Sequence, residues 1–188
     1  MKITNHDKIP DILIIDLDVH NDNRGSFTEL FNQEEFSNKT GIVFKPVQAN
    51  RSISNIGVFR GMHFQEYPYC QAKLLTIIAG YIVDVVTDIR VGSPTFGLTI
   101  EVKLGPSRGI FIPKGFAHGF SAETNCIVQY LVDCKRVPYA EQSINVATLP
   151  EYKIEPEILE RLIMSDKDKS AKSFEELSNK YPKYHKLR

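Results

Sequence analysis

The chain of 188 residues has no excess charge of either sign and no long apolar segment. Lysine plus arginine and aspartate plus glutamate number 23 each, so no overall field favours nucleic acid or a membrane surface as a partner. The longest apolar stretch, residues 74–86, contains Tyr81 and Asp84 and is too short and too polar to span a bilayer. Residues 1–10 lack the apolar core of a secretion signal. We therefore expect a cytoplasmic protein.

Cysteine is scarce, and its spacing is uninformative. An odd number of cysteines without a CxxC pair predicts neither a disulfide framework nor a cysteine-based zinc site. We expect reduced thiols, as is usual for a cytosolic protein. The three residues are Cys70, Cys126 and Cys134.

Short segments rich in Ile, Val, Phe and Tyr follow one another between residues 11 and 148, and turn-forming residues separate them. Many short strands at regular spacing are typical of an antiparallel sandwich or barrel. The sequence therefore predicts a mainly β protein. The segments are DILIIDLDV, GVFRGMHFQ, AKLLTIIAGYIVDVVTDI, FGLTIEVKL, GIFIPKGFAHGF and CIVQYLVD.

Helical composition is confined to a few places. A short helix is predicted at Gln33–Asn38, and the segments EPEILERLI and SFEELSNKY are helical in composition. We therefore predict a β domain over residues 1–150 and a short helical C-terminal appendage of the same domain over residues 151–188.

The segment 59–73, FRGMHFQEYPYCQAK, places a histidine in an alternating strand pattern. Alternation predicts that His63 shares a strand face with Phe59 and that Arg60 lies on the other face. A histidine among apolar residues can act as a neutral general base, and Arg60 or Lys73 can hold an anionic substrate or an oxyanion. Taken alone, the pattern is more typical of a structural histidine on a half-buried strand.

Three further motifs stand in one order with this segment. Together they resemble the dTDP-4-dehydrorhamnose 3,5-epimerase family, over roughly residues 12–145 and then residues 164–168. Members of that family are cupins that act on nucleotide-linked 4-keto-6-deoxy sugars, so the resemblance implies an antiparallel jelly-roll β-barrel. The four motifs are RG-x-F-x-E at 24–29, RG-x-H-x-Q at 60–65, D-x-R-x-GSPTFG at 88–97 and P-x-GFAHGF at 113–120.

The resemblance implies epimerisation at C3, C5 or both. A 4-keto group acidifies the hydrogens on these carbons, so a base can form an enolate and an acid can return the proton to the other face. His63 is the implied base, Lys73 the cation that stabilises the enolate oxygen and Tyr130 the acid. Asp168 is the implied carboxylate that orients the imidazole. The implied enzyme is an isomerase that needs no cofactor.

The resemblance also implies residues that bind the substrate. Arg60 is the implied diphosphate contact, because its fork of donors suits phosphate oxygens, and Lys169 would assist it. Gln48 and Asn50 share a strand face near the ligand. His118 either contacts the sugar or supports the wall of the site.

In the family, the RG-x-F-x-E motif lies on an arm that reaches the partner subunit's site. Arg24, Phe27 and Glu29 are therefore implied substrate contacts of a homodimer, although by its local sequence Arg24 is equally a turn residue. Asp84 stands between two valines and needs a partner there, so we expect it to support His63 or Lys73.

The resemblance is interrupted at residues 134–146, where family members carry aromatic residues that help to pack the nucleotide, and the chain contains no tryptophan. The nucleotide therefore stays open. So do three alternative functions: a nucleotide-sugar 3,4-ketoisomerase, a non-catalytic sugar-binding cupin and a metal-dependent cupin oxygenase.

We expect no metal, because no two histidines are two residues apart. The histidines are His6, His20, His63, His118 and His185.

Overall fold

The computed structural model describes residues 1–184 and consists mainly of short strands. His185 and the last residues of the predicted C-terminal appendage lie outside the described residues. No helix within residues 1–184 is long and apolar enough to cross a membrane. The strands are β1 (Lys2–Asn5), β2 (Leu13–Asp16), β3 (Val19–Asp22), β4 (Gly25–Thr28), β5 (Gln48–Ser54), β6 (Phe59–Gln65), β7 (Lys73–Ala79), β8 (Ile82–Asp88), β9 (Thr99–Leu104), β10 (Arg108–Ile112), β11 (Phe116–Ala122), β12 (Cys126–Val132) and β13 (Glu141–Ser143).

The strands form two antiparallel sheets and a separate hairpin. The six-stranded sheet has the order β1-β2-β10-β7-β12-β5, and the five-stranded sheet has the order β13-β6-β11-β8-β9. β3 and β4 pair only with each other among the described strands. The predicted mainly β jelly roll is confirmed. The barrel is corrected to a sandwich, because the edge strands of one sheet are not hydrogen-bonded to those of the other.

Residue alternation explains how the core lies between the sheets. In β9, the apolar residues Ile100, Val102 and Leu104 are buried, while Glu101 and Lys103 are exposed. This two-residue period is what a strand with one face on the core requires. Inward-facing residues of β7, β8, β9, β10, β11 and β12 join in one apolar cluster, and burial of such surface is the main stabilising contribution to folding.

The helices are short and lie outside the sheets. The predicted helix at Gln33–Asn38 is confirmed as α1 (Gln33–Thr40), and the Asn32 side chain caps it by accepting from the Glu35 amide. In the C-terminal region, α2 (Pro156–Arg161) confirms the first predicted helix and α3 (Asp166–Lys169) follows it.

The second predicted helix, SFEELSNKY at 173–181, is wrong. Only a 3₁₀ turn at Ser178–Lys180 forms there. The Phe174 carbonyl, which would accept from the Ser178 amide in an α-helix, accepts instead from the Tyr181 hydroxyl at 2.6 Å. Phe174 and Tyr181 pack against the outer face of the five-stranded sheet, and this packing overrides the helical composition.

The D-x-R-x-GSPTFG motif has a structural role in the fold. The Asp88 carboxylate and the Arg90 guanidinium are buried together, with Arg90 Nη2 2.7 Å from Asp88 Oδ2. Asp88 also accepts from Ser93 and Thr95, and Arg90 reaches Asp11 at 2.6 Å. These bonds hold the segment after β8 against the chain near the N-terminus, away from the cavity described next.

Candidate active site

A cavity of about 630 Å³ opens between the two sheets. Residues of β5, β6, β7, β11 and β12 form its walls, and residues from the segments 136–141 and 163–168 bound it on one side. The residues that both the sequence and the structure place here are Gln48, Asn50, Arg60, His63, Lys73, His118, Tyr130 and Asp168.

An irregularity in β6 brings Arg60 and His63 to the same side. His63 pairs with His118 and Arg60 pairs with Phe120, so three steps along β6 match two steps along β11. This bulge overturns the predicted alternation, because both side chains now line the cavity. Gly61 lies at the bulge with φ +131°, and a Cβ there would lie 2.5 Å from the Gly119 Cα. Only glycine fits this crossing of strands.

The imidazole of His63 is held by a buried carboxylate from α3. Asp168 Oδ1 lies 2.7 Å from His63 Nε2 and accepts from Ser143 Oγ at 2.8 Å. The side chain of His63 is 31% exposed and that of Asp168 is 5% exposed, so the histidine faces the cavity and the aspartate lies behind it. Burial alone would raise the pKa of Asp168, but the bonds from His63, Ser143 and Ser165 hold that pKa at about 2. The pair can keep the imidazole in one orientation.

Replacement of Asp168 by Asn is expected to reduce the acid sensitivity of the fold. Because the folded-state pKa of Asp168 is about 2 rather than 3.8, its ionisation stabilises the native state above pH 3.8, and this contribution is lost as the pH falls towards 2. The loss of unfolding free energy between pH 6 and pH 2.5 should be about 1.5 kcal/mol smaller in Asp168→Asn than in the parent. Urea unfolding at both pH values measures this, and an equal loss in the two proteins would contradict it.

Lys73 begins β7 on the other side of the histidine. Its ammonium lies 3.5 Å from the His63 carbonyl oxygen. Loss of hydration lowers the pKa of Lys73 to about 8, although the charges of Asp84 and Glu141 act in the opposite direction. The side chain is still mostly protonated at neutral pH and can donate to a developing oxyanion.

A second histidine–aspartate pair faces the first. His118 lies directly opposite His63 in the strand register, and its Nε2 is 2.7 Å from Asp84 Oδ1. Burial lowers the pKa of His118, and Asp84 only partly offsets this effect. Asp84 is fully buried, and its Oδ2 makes no hydrogen bond within residues 1–184. Asp84 therefore bonds to His118 and not to His63, and it acts on Lys73 only through its charge.

Tyr130 and two amides complete the inner wall. On β12, Tyr130 pairs with Asn50 of β5 and with Leu75 of β7. Burial raises the pKa of Tyr130, while the positive charge of Arg60 opposes the shift, so the phenol holds its proton at neutral pH. Gln48 Nε2 donates to Asn50 Oδ1 at 2.6 Å, which fixes both amides on the cavity side of β5.

Four predicted binding residues lie outside this cavity. Arg24, Phe27 and Glu29 are on or beside the β3–β4 hairpin; the Arg24 and Phe27 side chains are 86% and 70% exposed. Lys169 is exposed on α3, whereas Lys167 lines the cavity. Successive residues of a helix point about 100° apart, so Lys169 points about 200° away from Lys167, and these two lysines cannot face the cavity together.

Sequence reasoning missed several polar residues of the site. Ser143 donates a hydrogen bond to Asp168, and Gln71 lines the cavity just before β7. Arg136 and Lys167 both form ion pairs with Glu141. Lys167 stands beside the predicted Asp168 and could have been found there. Arg136 and Glu141 lie in the stretch where the family motif is interrupted, and the sequence offered no pattern that places them.

The described residues offer no evident place for a metal ion. Within residues 1–184, no three His, Cys, Asp or Glu side chains are grouped to hold one. The three cysteines are free, and two of them are buried.

Comparison with known proteins gives consistent results. The sequence matches the family model dTDP-4-dehydrorhamnose 3,5-epimerase over residues 6–176. The Shigella flexneri dTDP-4-dehydrorhamnose 3,5-epimerase is 37% identical, over 89% of this chain and 93% of its own. A Legionella pneumophila 3,5-epimerase, solved with dTDP-4-keto-L-rhamnose, superposes with a TM-score of 0.88 at 34% identity, covering 97% of this chain and 98% of its own. A Streptomyces bikiniensis 3'-monoepimerase, solved with dTDP-quinovose, gives 0.84 at 27% identity, covering 97% and 93%.

Proposed function

The chain belongs to the dTDP-4-dehydrorhamnose 3,5-epimerase family and is an isomerase, and from this premise we propose that it inverts a dTDP-linked 4-keto-6-deoxy hexose at C3 and C5. One observation carries the proposal: the His63–Asp168 pair, Lys73 and Tyr130 line a single cavity. These groups are a base, a cation and an acid, which proton transfer through an enolate requires.

In the proposed reaction, His63 removes the proton from the carbon beside the 4-keto group. Asp168 holds the ring in orientation and stabilises the imidazolium that forms. The electron pair moves onto the keto oxygen, where Lys73 donates a hydrogen bond to the enolate. Tyr130 then returns a proton to the opposite face of the sugar. His63 then releases its proton to solvent and Tyr130 takes one up, and repetition at the second carbon gives double inversion.

The diphosphate is assigned to the cavity wall that carries Arg60. The guanidinium of Arg60 is steadied by Ser54 Oγ at 2.9 Å and by the Ile53 carbonyl oxygen at 3.1 Å, which leaves donors free for phosphate oxygens. Gln48 and Asn50 are proposed to contact the substrate beside it. His118, held by Asp84, is proposed to bound the sugar next to His63.

Proton NMR in D₂O tests the function. With dTDP-4-keto-6-deoxyglucose, the C3 and C5 proton signals should both disappear as deuterium enters, and the product should show inverted configuration at both carbons. Exchange at one carbon alone would identify a monoepimerase, and a product with a 3-keto group would identify a ketoisomerase. Absence of exchange with the dTDP sugar and with its GDP- and UDP-linked analogues would contradict an epimerase.

We propose that two copies of the chain form a homodimer in which each β3–β4 hairpin reaches the other subunit's cavity. The hairpin pairs with no other strand among residues 1–184, and it exposes Phe27. The outer face of β5, the edge strand beside the cavity, exposes Ile53 at 61%. Apolar groups in these places are typical of a surface covered by a partner.

The three free cysteines favour a cytoplasmic location.

Complementation between two inactive variants tests the arm. If Arg24 acts in the partner's site, Arg24→Ala and His63→Asn dimers are each poorly active, but a mixed dimer has one complete site. After exchange of subunits, a mixture of equal parts should recover roughly a quarter of parental activity. Recovery of no activity, in a mixture shown to contain mixed dimers by native mass spectrometry, would contradict the proposed arm.

A further inference from the structure

Glu141 is a carboxylate that the mechanism above does not use, and it lies in the cavity wall between two cations. Its side chain is 16% exposed. Its Oε2 lies 2.8 Å from Arg136 Nη2 and 2.7 Å from Lys167 Nζ, and its Oε1 accepts from Arg136 Nε at 3.2 Å. Burial alone would raise the pKa of Glu141, but the two cations hold that pKa at about 2. The carboxylate is therefore charged at neutral pH.

The contact with Lys167 attaches α3 to the sheet. This helix has four residues, too few for its own hydrogen bonds to keep it in place. Lys167 reaches Glu141 at the start of β13, while Asp168, the next residue, reaches His63 on β6 and Ser143 at the end of β13. Because β13 pairs directly with β6, both attachments end on the strand that carries His63 or on its neighbour.

We propose that Glu141 is a positioning residue for proton transfer: through Lys167 it holds α3 where Asp168 contacts His63. Backbone bonds hold the chain on both sides of α3, at Ile163 and at Lys172, so the ion pair sets the orientation of the short helix between these two points. Without the ion pair, α3 tilts between them and the carboxylate moves away from the imidazole. A misplacement of about 1 Å in a catalytic group can lower a rate about 100-fold. The kinetic part of this inference rests on the proposed function, whereas its structural part does not.

Two variants separate positioning from binding. Glu141→Gln should lower kcat about 10- to 100-fold, with KM unchanged or lower, because a negative charge leaves a cavity that receives a diphosphate. Lys167→Met should lower kcat to the same extent while raising KM, because a cation leaves. The charge of Glu141 raises the pKa of Lys73. Lys167→Met keeps that carboxylate, so a loss of kcat that both variants share cannot result from a lower pKa of Lys73.

The matched control is Lys180→Met. Lys180 is another lysine of the C-terminal region, paired with Glu66 at 3.1 Å, and neither residue lines the cavity. The kcat and KM of Lys180→Met should equal those of the parent. A parental kcat in Glu141→Gln, or a raised KM as its only effect, would overturn the inference. If Glu141→Gln does not fold, as judged by its melting curve, the kcat of Lys167→Met decides in the same way.

A measurement without substrate completes the test. The Nε2 proton of His63, bonded to Asp168, should give a low-field NMR signal that exchanges slowly with water, and this exchange should be faster in Glu141→Gln and unchanged in Lys180→Met. Unchanged exchange in Glu141→Gln overturns the inference. If the parent does not exchange substrate protons, the proposed function fails, and this signal still decides whether Glu141 positions the pair.

Discussion

Replacement of His63 by Asn is expected to lower the rate of deuterium entry at C3 and C5 about 10²- to 10⁴-fold. Asparagine keeps a hydrogen-bonding group beside Asp168, but it has no nitrogen that can accept a proton at neutral pH. Lys73 and Arg60 remain in the cavity, so the diphosphate sugar should still bind. The experiment compares exchange by NMR with affinity by calorimetry. Loss of exchange with retained binding is the expected result.

A matched histidine variant serves as the control. His6 lies near the N-terminus, where its Nδ1 accepts from the Lys8 amide, and it does not line the active-site cavity. His6→Asn should exchange both protons at the parental rate. Exchange at the parental rate in His63→Asn would show that His63 is not the base. Loss of both binding and exchange in a folded His63→Asn would point to a binding role instead.

The strand content could be predicted from the sequence, because it follows from local patterns. The catalytic roles came from the resemblance to the family and stay predictions, although the structure brings His63, Tyr130 and Asp168 to one cavity. Alternation in segments such as β9 predicts a half-buried strand, and the motifs around His63 and His118 fall on neighbouring strands of one sheet. The closure of the sheets could not be predicted in this way. Whether the edge strands of the two sheets pair depends on the twist and separation of whole sheets. No single segment of the sequence encodes these properties.

The relation between Arg60 and His63 shows where local reasoning stops. Strict alternation separates them, and the structure unites them because a bulge at Gly61 adds one residue to β6. A glycine inside a strand pattern is a signal for such a bulge, and its φ of +131° is the physical reason. In α3, the sequence likewise assigned Lys169 to the cavity, whereas Lys167 lines it. Which lysine points to the cavity depends on where the single turn of helix begins, and the sequence did not define that residue.

Replacement of Tyr130 by Phe should separate the two halves of the reaction. Deprotonation depends on His63 and Lys73 and should continue, so deuterium should still enter the sugar. The enolate then lacks its acid on the opposite face. The imidazolium exchanges its proton with D₂O and returns a deuteron to the face from which the proton left. Inversion should therefore fall about 10²- to 10³-fold, while exchange with retained configuration persists.

The control for this variant is Tyr152→Phe. Tyr152 donates to Glu101 and does not line the cavity, so this variant should invert the sugar at the parental rate. If Tyr130→Phe inverts as fast as the parent, another group must supply the proton. If it loses exchange as well as inversion, the phenol acts before the enolate forms, and its part lies in binding or orienting the sugar. Deuterated but uninverted sugar is the result expected only when base and acid act from opposite faces.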